Sequence, residues 1–547
     1  MAHFWGVRSN LRGKMTQVND KYSIENTDYT VGQDNIQKWG FDIHTPVFLI
    51  SAGLIILFIL ALLVSDPTTA KSSLDSVKWA IIDRFDSLFM WSANLFVVFC
   101  IGLIFTPFGK IRLGGKGAQP EHSNLSWVAM LFSAGIGIGL MFYGVSEPVA
   151  YYTDWYGTPL GVEPHTEEAA RLALGASVFH WGIHGWAIYG IVGLSLALFA
   201  FNKGLPLSMR SVFYPILGDR TWGAFGHVID IMAVLATLFG LATSLGLGAQ
   251  QVTSGINHVF GTNGGLGLQI GVIAFVTMFA IFSVVRGIHG GVKILSNLNM
   301  ILAFGLLFFV AVLTLTVSMS AIPNALMGYV ENFIPLSNPL GREDESWMHG
   351  WTVFYWAWWI SWSPCVGMFI ARVSKGRTVR EFLTAVIIVP TAITLIWMSV
   401  FGGVAIDQIA NNVGELGMNG LTDISLALYN TYDALPMTNA LSILSIVLIM
   451  VFFVTSSDSA SLVIDSITSG GKVEAPVPQR VFWAIIEGCI AAVLLWVGGT
   501  EAMQALQAGM ISTALPFTFV LLIMCVSLVL GLRSELNQFK YSVASAN

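Results

Sequence analysis

A run of twelve residues, Trp351 to Trp362 (W-T-V-F-Y-W-A-W-W-I-S-W), holds five tryptophans, and Phe354 and Tyr355 bring its aromatics to seven. On a helix Trp356, Trp359 and Trp362 stand three residues apart, and Trp358 and Trp362 four apart, so one face carries several indoles. Indole faces attract a cation that has no N–H to donate, and a quaternary ammonium is such a cation. Tryptophan also collects at membrane interfaces, where it only anchors a helix. Trp356, Trp358, Trp359 and Trp362 are packed more densely than anchoring needs. A second group lies in F-H-W-G-I-H-G-W-A-I-Y (179–189). There Trp186 and Tyr189 share a helical face, and Trp181 lies about 80° from Tyr189 at about 100° per residue. This group offers a second wall for the same cage.

Other polar groups are sparse. The run A-G-I-G-I-G carries Gly135, Gly137 and Gly139, and W-S-P-C-V-G carries Pro364 and Gly367. Three glycines in five residues weaken a helix more than close packing requires. His180 and His184 flank the second aromatic group and read as neutral, hydrogen-bonded histidines. Asp230, Glu487 and Glu147 (in S-E-P) read as structural, and Asp458 as a helix cap or a source of local potential. No C-x-x-C or paired-carboxylate arrangement suggests an enzyme. Cys100, Cys365, Cys489 and Cys525 all lie in apolar stretches and read as small hydrophobes, neither disulfides nor a metal site.

The elements that position these groups are long apolar helices. Of 547 residues 55% are hydrophobic and only 11% charged, with a mean hydropathy of +0.71, against about 25% charged in soluble domains. Net charge is −6 and no basic run suits nucleic acid. The polar first 45 residues carry no cleavable signal peptide. Twelve apolar stretches approach the ~20 residues that cross a bilayer: 46–65, 84–106, 126–146, 173–201, 223–248, 266–286, 292–319, 350–373, 382–404, 438–460, 480–499 and 503–531. Residues 321–337, with Pro323 and Pro335, read as an interfacial helix. With both termini in the cytoplasm, Lys71, Lys78, Arg171 and Arg342 fall outside and Arg84 at a span edge, as the positive-inside rule favours.

The third and eighth spans, five helices apart, are expected to be broken, at the glycine run and at Pro364. Interrupted spans at matching places of opposite orientation point to inverted repeats. The expectation is an all-α polytopic membrane protein. A cytoplasmic segment (1–45) precedes one transmembrane domain (46–531), and a short cytoplasmic tail (532–547) follows it. The domain comprises extra helices at 46–106, repeat one at 126–319 and repeat two at 350–531.

The runs G-I-G-I-G-L-M-F-Y-G-V-S-E-P (135–148), F-H-W-G-I-H-G-W-A-I-Y (179–189) and W-A-W-W-I-S-W-S-P (356–364) resemble the betaine/choline/carnitine transporter family, over roughly residues 45–530. The resemblance implies the sodium-symporter (LeuT-like) fold, a 5+5 inverted repeat after two extra helices, in a bacterial inner membrane. It implies Na⁺-coupled symport of a betaine-type zwitterion, glycine betaine or an analogue such as dimethylsulfoniopropionate, with no organic cofactor and as a homotrimer. The alternative is Na⁺-independent or proton-coupled uptake or exchange of choline or carnitine. The implied cage is Trp181, Trp186, Tyr189, Trp358, Trp359 and Trp362, with Trp356 at its margin. Gly135, Gly137 and Gly139 would receive the carboxylate. In this family an acidic residue at the last glycine accompanies cationic substrates, so Gly139 favours a zwitterion. Thr455 and Ser456, with carbonyls of Ser133, Ile136 and Phe452, match the Na⁺ site. Sodium-independent relatives place an arginine in the fifth helix, and 223–248 has neither Arg nor Lys. A second Na⁺ site keeps Thr237 but has Leu241 and Cys365 where Thr and Phe are expected. The short tail lacks the basic extension of osmotically regulated relatives, which predicts uptake without hyperosmotic stress.

Overall fold

The computed structural model describes residues 27–135, 137–286, 292–473 and 475–544. The chain starts with a hairpin, β1 (Asn35–Lys38) and β2 (Phe41–His44), antiparallel with Asn35 opposite His44. Helices then follow: α1 (Thr45–Val64), α2 (Pro67–Phe105), α3 (Asn124–Gly135), α4 (Ile138–Tyr152), α5 (Glu167–Trp181), α6 (Ile183–Ala197), the short α7 (Tyr214–Leu217), α8 (Ala224–Phe260), α9 (Leu266–Arg286) and α10 (Val292–Leu313). The second half holds α11 (Leu315–Ser337), the short α12 (Glu345–Trp347), α13 (Phe354–Val373), α14 (Val379–Ala410), the short α15 (Gly414–Asn419) and α16 (Ala427–Tyr432), α17 (Thr438–Thr468), α18 (Val477–Gly498) and α19 (Ala502–Ala544).

Nine helical stretches among the described residues are long and apolar enough to cross a membrane. One of these, Val477–Asn537, turns at Gly499 and so contains both α18 and α19. Two expected spans are absent from the nine. Span 126–146 is divided into α3 and α4, of 12 and 15 residues. In α13, Trp, Tyr and Ser lower the apolarity. In the most apolar part of Glu167–Asn202 89% of residues are buried, whereas in that of Leu295–Leu313 only 28% are. α5 and α6 are therefore central and α10 peripheral, with Ile301 and Phe308 exposed on its outer face. Within the bundle α6 packs along α13, α5 along α11, and α8 along both α17 and α19.

Several expectations are corrected. The eighth span is not broken at Pro364, because α13 runs through it. A proline removes one helical N–H and strands the carbonyl four residues back. Here that carbonyl, of Ile360, accepts the Ser363 hydroxyl at 2.7 Å. Gly367 serves packing: a Cβ there would lie 2.5 Å from Val192 Cγ1. The interruption of this chain segment falls earlier, in a wide π-helical turn over Met348–Val353.

The fourth span, expected to be continuous, breaks at Gly182, whose backbone (φ −103°, ψ −134°) belongs to neither α5 nor α6. The helix expected at 321–337 starts six residues earlier, as α11, and packs on α5 and α14. Cys489 is exposed, unlike the other three cysteines, and all four are free thiols. The expected all-helical chain carries one hairpin in its polar N-terminal segment. Asn35 Nδ2 donates to the Ser469 carbonyl at 2.9 Å and Asp42 pairs with Lys472, which fastens it to the end of α17.

Candidate substrate site

The site is built where three helices meet. Trp181 is the last residue of α5; Trp186 and Tyr189 follow the break on α6; Trp358 and Trp359 project from α13. Ring centroids of Trp181 stand 5.8 Å from both Trp358 and Trp359. Trp359 is 5.8 Å from Trp186 and 4.7 Å from Tyr189, and Trp186 is 5.5 Å from Tyr189. Most of these pairs are edge-to-face, an arrangement worth about 0.5–1.5 kcal/mol per pair beyond the area buried. All five side chains are buried.

Glycines allow this crowding. A Cβ on residue 139 would lie 2.5 Å from Trp181 Cη2 and 2.6 Å from Trp358 Cη2. At position 185 a Cβ would lie 2.3 Å from the Trp359 ring. Gly139 is thus in contact with two of the implied cage rings. Gly137 is the residue before α4; among the described residues no side chain caps it, and none stands within 4 Å of where its Cβ would be. Gly135 ends α3.

Indole N–H groups need acceptors when buried. Trp359 Nε1 donates to the His180 carbonyl at 2.9 Å, and the Thr394 hydroxyl lies 3.3 Å from the Trp181 carbonyl. Both acceptors sit at the end of α5, where the break at Gly182 deprives carbonyls of helical partners. Trp358 Nε1 is buried with no partner among the described residues.

Two expected members turn elsewhere. Trp362 donates to Ser244 Oγ on α8 at 3.1 Å and packs beside Gly240, with no ring contact to the other five among the described residues. Trp356 stacks on His184 at 5.0 Å and donates to Met90 Sδ at 3.3 Å, on the far side of α13. Helical periodicity explains both: at about 100° per residue, 356, 359 and 362 drift off a common line.

Glu147 has a larger part than its place in S-E-P indicated. It lies within α4 and is fully buried. It accepts from Trp181 Nε1 at 2.8 Å, from Tyr355 Oη at 2.5 Å and from Tyr151 Oη at 2.9 Å. His180 Nδ1 lies 2.8 Å away, and His180 Nε2 is 2.9 Å from Thr352 Oγ1. This carboxylate orients Trp181 through the indole N–H. Tyr143, also not singled out from the sequence, has its ring 6.0 Å from Trp358. It follows Gly139 by four residues, a same-face spacing that was available to find it.

The residues implied for Na⁺ are only partly described. Ile136 lies outside the described residues, as does the side chain of Ser133. Thr455 Oγ1 reaches its own helix at the Val451 and Phe452 carbonyls, each 3.1 Å away, and accepts from Asn299 Nδ2 at 3.0 Å. Ser456 is half-buried on the same helix. Thr237 back-bonds to the Ala233 carbonyl at 2.8 Å, and Leu241 and Cys365 are buried. Next to Thr455, Asp458 accepts from Ser283 Oγ at 2.5 Å, and Glu487 from Ser457 and Ser461. Asp230 pairs with Arg210 at 2.6 Å.

A bundle of long apolar helices, two of them broken around a buried aromatic site, has the build of a polytopic membrane transporter. Residues 46–537 match the family described as betaine/carnitine/choline family transporter, and the chain belongs to that family. It is a multi-pass membrane transporter and not an enzyme. It is 69% identical to "Glycine betaine transporter 1" of Vibrio parahaemolyticus over 95% of this chain and 100% of the relative. It is 68% identical to a "Glycine betaine/proline/choline/ectoine transporter" of the same organism, over 95% of this chain and 92% of the relative. Glycine betaine transporter OpuD of Bacillus subtilis is 44% identical over 87% of this chain and 92% of its own.

Proposed function

We propose that this chain imports a betaine-type zwitterion, glycine betaine first, by symport with Na⁺. The observation that carries this reading is the joined ring cluster of Trp181, Trp186, Tyr189, Trp358 and Trp359, of which Trp181 and Trp358 meet Gly139 at the start of α4. A quaternary ammonium suits desolvated aromatic faces, at about 2 kcal/mol or more per favourable contact. A carboxylate suits the free N–H groups and positive end of a helix N-terminus. The partnerless N–H of Trp358 adds a donor. The neighbouring carboxylate, Glu147, spends its hydrogen bonds on Trp181, Tyr355 and Tyr151.

Na⁺ coupling would use Thr455, Ser456 and carbonyls of Ser133, Ile136 and Phe452. In the described geometry the Thr455 hydroxyl donates to its own helix and accepts from Asn299, which leaves its oxygen a lone pair for the ion. The reading also includes twelve crossings, a 5+5 inverted repeat, cytoplasmic termini and a homotrimer. The second ion is left out, since Leu241 contributes no oxygen. Choline stays as a second substrate because the relative at 68% identity is named for it.

The test is tryptophan fluorescence of purified protein titrated with glycine betaine, dimethylsulfoniopropionate, proline, ectoine, carnitine and choline, each with and without Na⁺. Saturable binding of a zwitterion only with Na⁺ is expected, together with loss of the Na⁺ requirement in Thr455→Val/Ser456→Ala. Na⁺-indifferent binding led by choline or carnitine would move the chain to the exchange or proton-coupled reading.

A further inference from the structure

Outside the aromatic site, Asp86, Glu345 and His349 bring three ligand atoms together, all within 4.8 Å of one another. His349 Nε2 lies 3.1 Å from Asp86 Oδ2 and 3.8 Å from Glu345 Oε1. Ligand atoms at about 2.0–2.1 Å from a tetrahedral zinc ion stand about 3.3–3.5 Å apart, so small side-chain shifts would admit one. One imidazole and two carboxylates match zinc by donor type, with water in the fourth position. Mg²⁺ and Ca²⁺ prefer an all-oxygen shell, which this set does not offer. Asp86 and His349 are largely buried, which fixes their donors, while the Glu345 side chain is 69% exposed and gives an ion a way in.

We propose that Asp86, Glu345 and His349 form a Zn²⁺ site that fastens α2 to the wide turn leading into the tryptophan helix. Asp86 belongs to α2; Glu345 belongs to α12; His349 lies in the π-helical turn Met348–Val353. Thr352, in the same turn, contacts His180, which contacts Glu147, the acceptor of the Trp181 indole. Single π turns recur at functional sites. An ion joining the turn to α2 therefore restrains the segment through which α13 and the cage are linked. In the proposed orientation the site faces outward and meets external Zn²⁺.

The experiment is Zn²⁺ titration of purified full-length protein by calorimetry at pH 7.5, against Glu345→Gln and His349→Ala, with Mg²⁺ as control. A site of micromolar affinity is expected, weakened at least about tenfold in either variant, with Mg²⁺ giving no heat at this site. Glu345→Gln alters an exposed side chain and keeps the fold, so its result stands even if His349→Ala unfolds. Isotherms identical in wild type and Glu345→Gln overturn the site. This readout needs no transport and is separate from the substrate assignment. In proteoliposomes external Zn²⁺ should slow uptake by the wild type and spare Glu345→Gln; equal uptake with and without Zn²⁺ overturns the link to the cage.

Discussion

The bundle contains two broken helices side by side, and their breaks are finished differently. At Gly182 the carbonyls at the end of α5 are answered from within the protein, by the Trp359 indole and the Thr394 hydroxyl. At Gly137 the start of α4 has no side-chain cap among the described residues, and none of them stands within 4 Å of where a Cβ would be. A helix end leaves up to four backbone groups without helical partners, and buried ones need partners from somewhere. A break filled by the protein's own donors acts as scaffold: it sets the angle between Trp181 and the pair Trp186 and Tyr189. A break whose first N–H groups are left over is where a ligand's negative end is answered. The two differ in polarity as well, since the filled one presents carbonyls and the open one N–H groups, which an anion prefers.

The strongest attack on this distinction is through Glu147. Glu147→Ala would orphan the Trp181 indole and the Tyr355 hydroxyl at once, while Tyr151 keeps His180 Nδ1, 3.1 Å away. A buried donor without a partner costs about 1–3 kcal/mol, so the variant should lose several kcal/mol and bind no substrate. Thermal unfolding followed by tryptophan fluorescence measures this. Glu147→Gln keeps an acceptor oxygen and should recover part of the loss. An unchanged melting temperature in Glu147→Ala would mean that Trp181 is positioned by packing alone.

The next test separates the glycines. Gly139→Ala places a Cβ 2.5 Å from Trp181 and 2.6 Å from Trp358. It should still fold, with both rings displaced and affinity for glycine betaine reduced at least about tenfold, core overpacking costing about 1–3 kcal/mol. Gly137→Ala meets no atom of the described residues, and its extended backbone (φ −154°, ψ −166°) suits any residue. Its melting temperature should match wild type. Any loss of affinity there then reports a ligand lying at the open break. Equal melting and equal affinity in the two variants would erase the difference between a packed glycine and a vacant one.

How much of this was legible depends on where the deciding partners lie. The aromatic walls were legible because tryptophan is scarce and its spacing along 179–189 and 351–362 is local information. The break in A-G-I-G-I-G was legible for the same reason. The break at Gly182 was not, since one glycine in an apolar run is ordinarily tolerated within a helix. What sustains this one comes from Trp359 and Thr394, far along the chain. Pro364 misled in the opposite sense: its stranded carbonyl is taken by the adjacent Ser363, so a residue that reads as a breaker sits in an unbroken helix. Glu147 was undervalued because its partners come from α5 and α13 as well as its own helix. The hairpin at 35–44 was missed because strands of four residues carry little periodicity, and its fastening to Ser469 and Lys472 is tertiary.

The smallest effects test the filled break itself. Trp359→Phe keeps an aromatic face toward Tyr189 and Trp186 but removes the N–H that reaches the His180 carbonyl. Thr394→Val removes only the hydroxyl at the Trp181 carbonyl, through a bond of 3.3 Å, long for an O–H donor. A net hydrogen bond contributes about 0.5–1.5 kcal/mol, so Trp359→Phe should lower stability by about 1 kcal/mol and weaken binding several-fold. Thr394→Val should fall at or below the lower end, with affinity within about twofold of wild type. Chemical denaturation and ligand titration on the two variants and their double mutant measure both quantities. The two groups serve adjacent carbonyls of one helix end, so their effects should be non-additive, since neighbours that share a structural shift couple. Strict additivity would mean that the two carbonyls are independent and that the end of α5 is held by its side-chain packing, not by closure of the break.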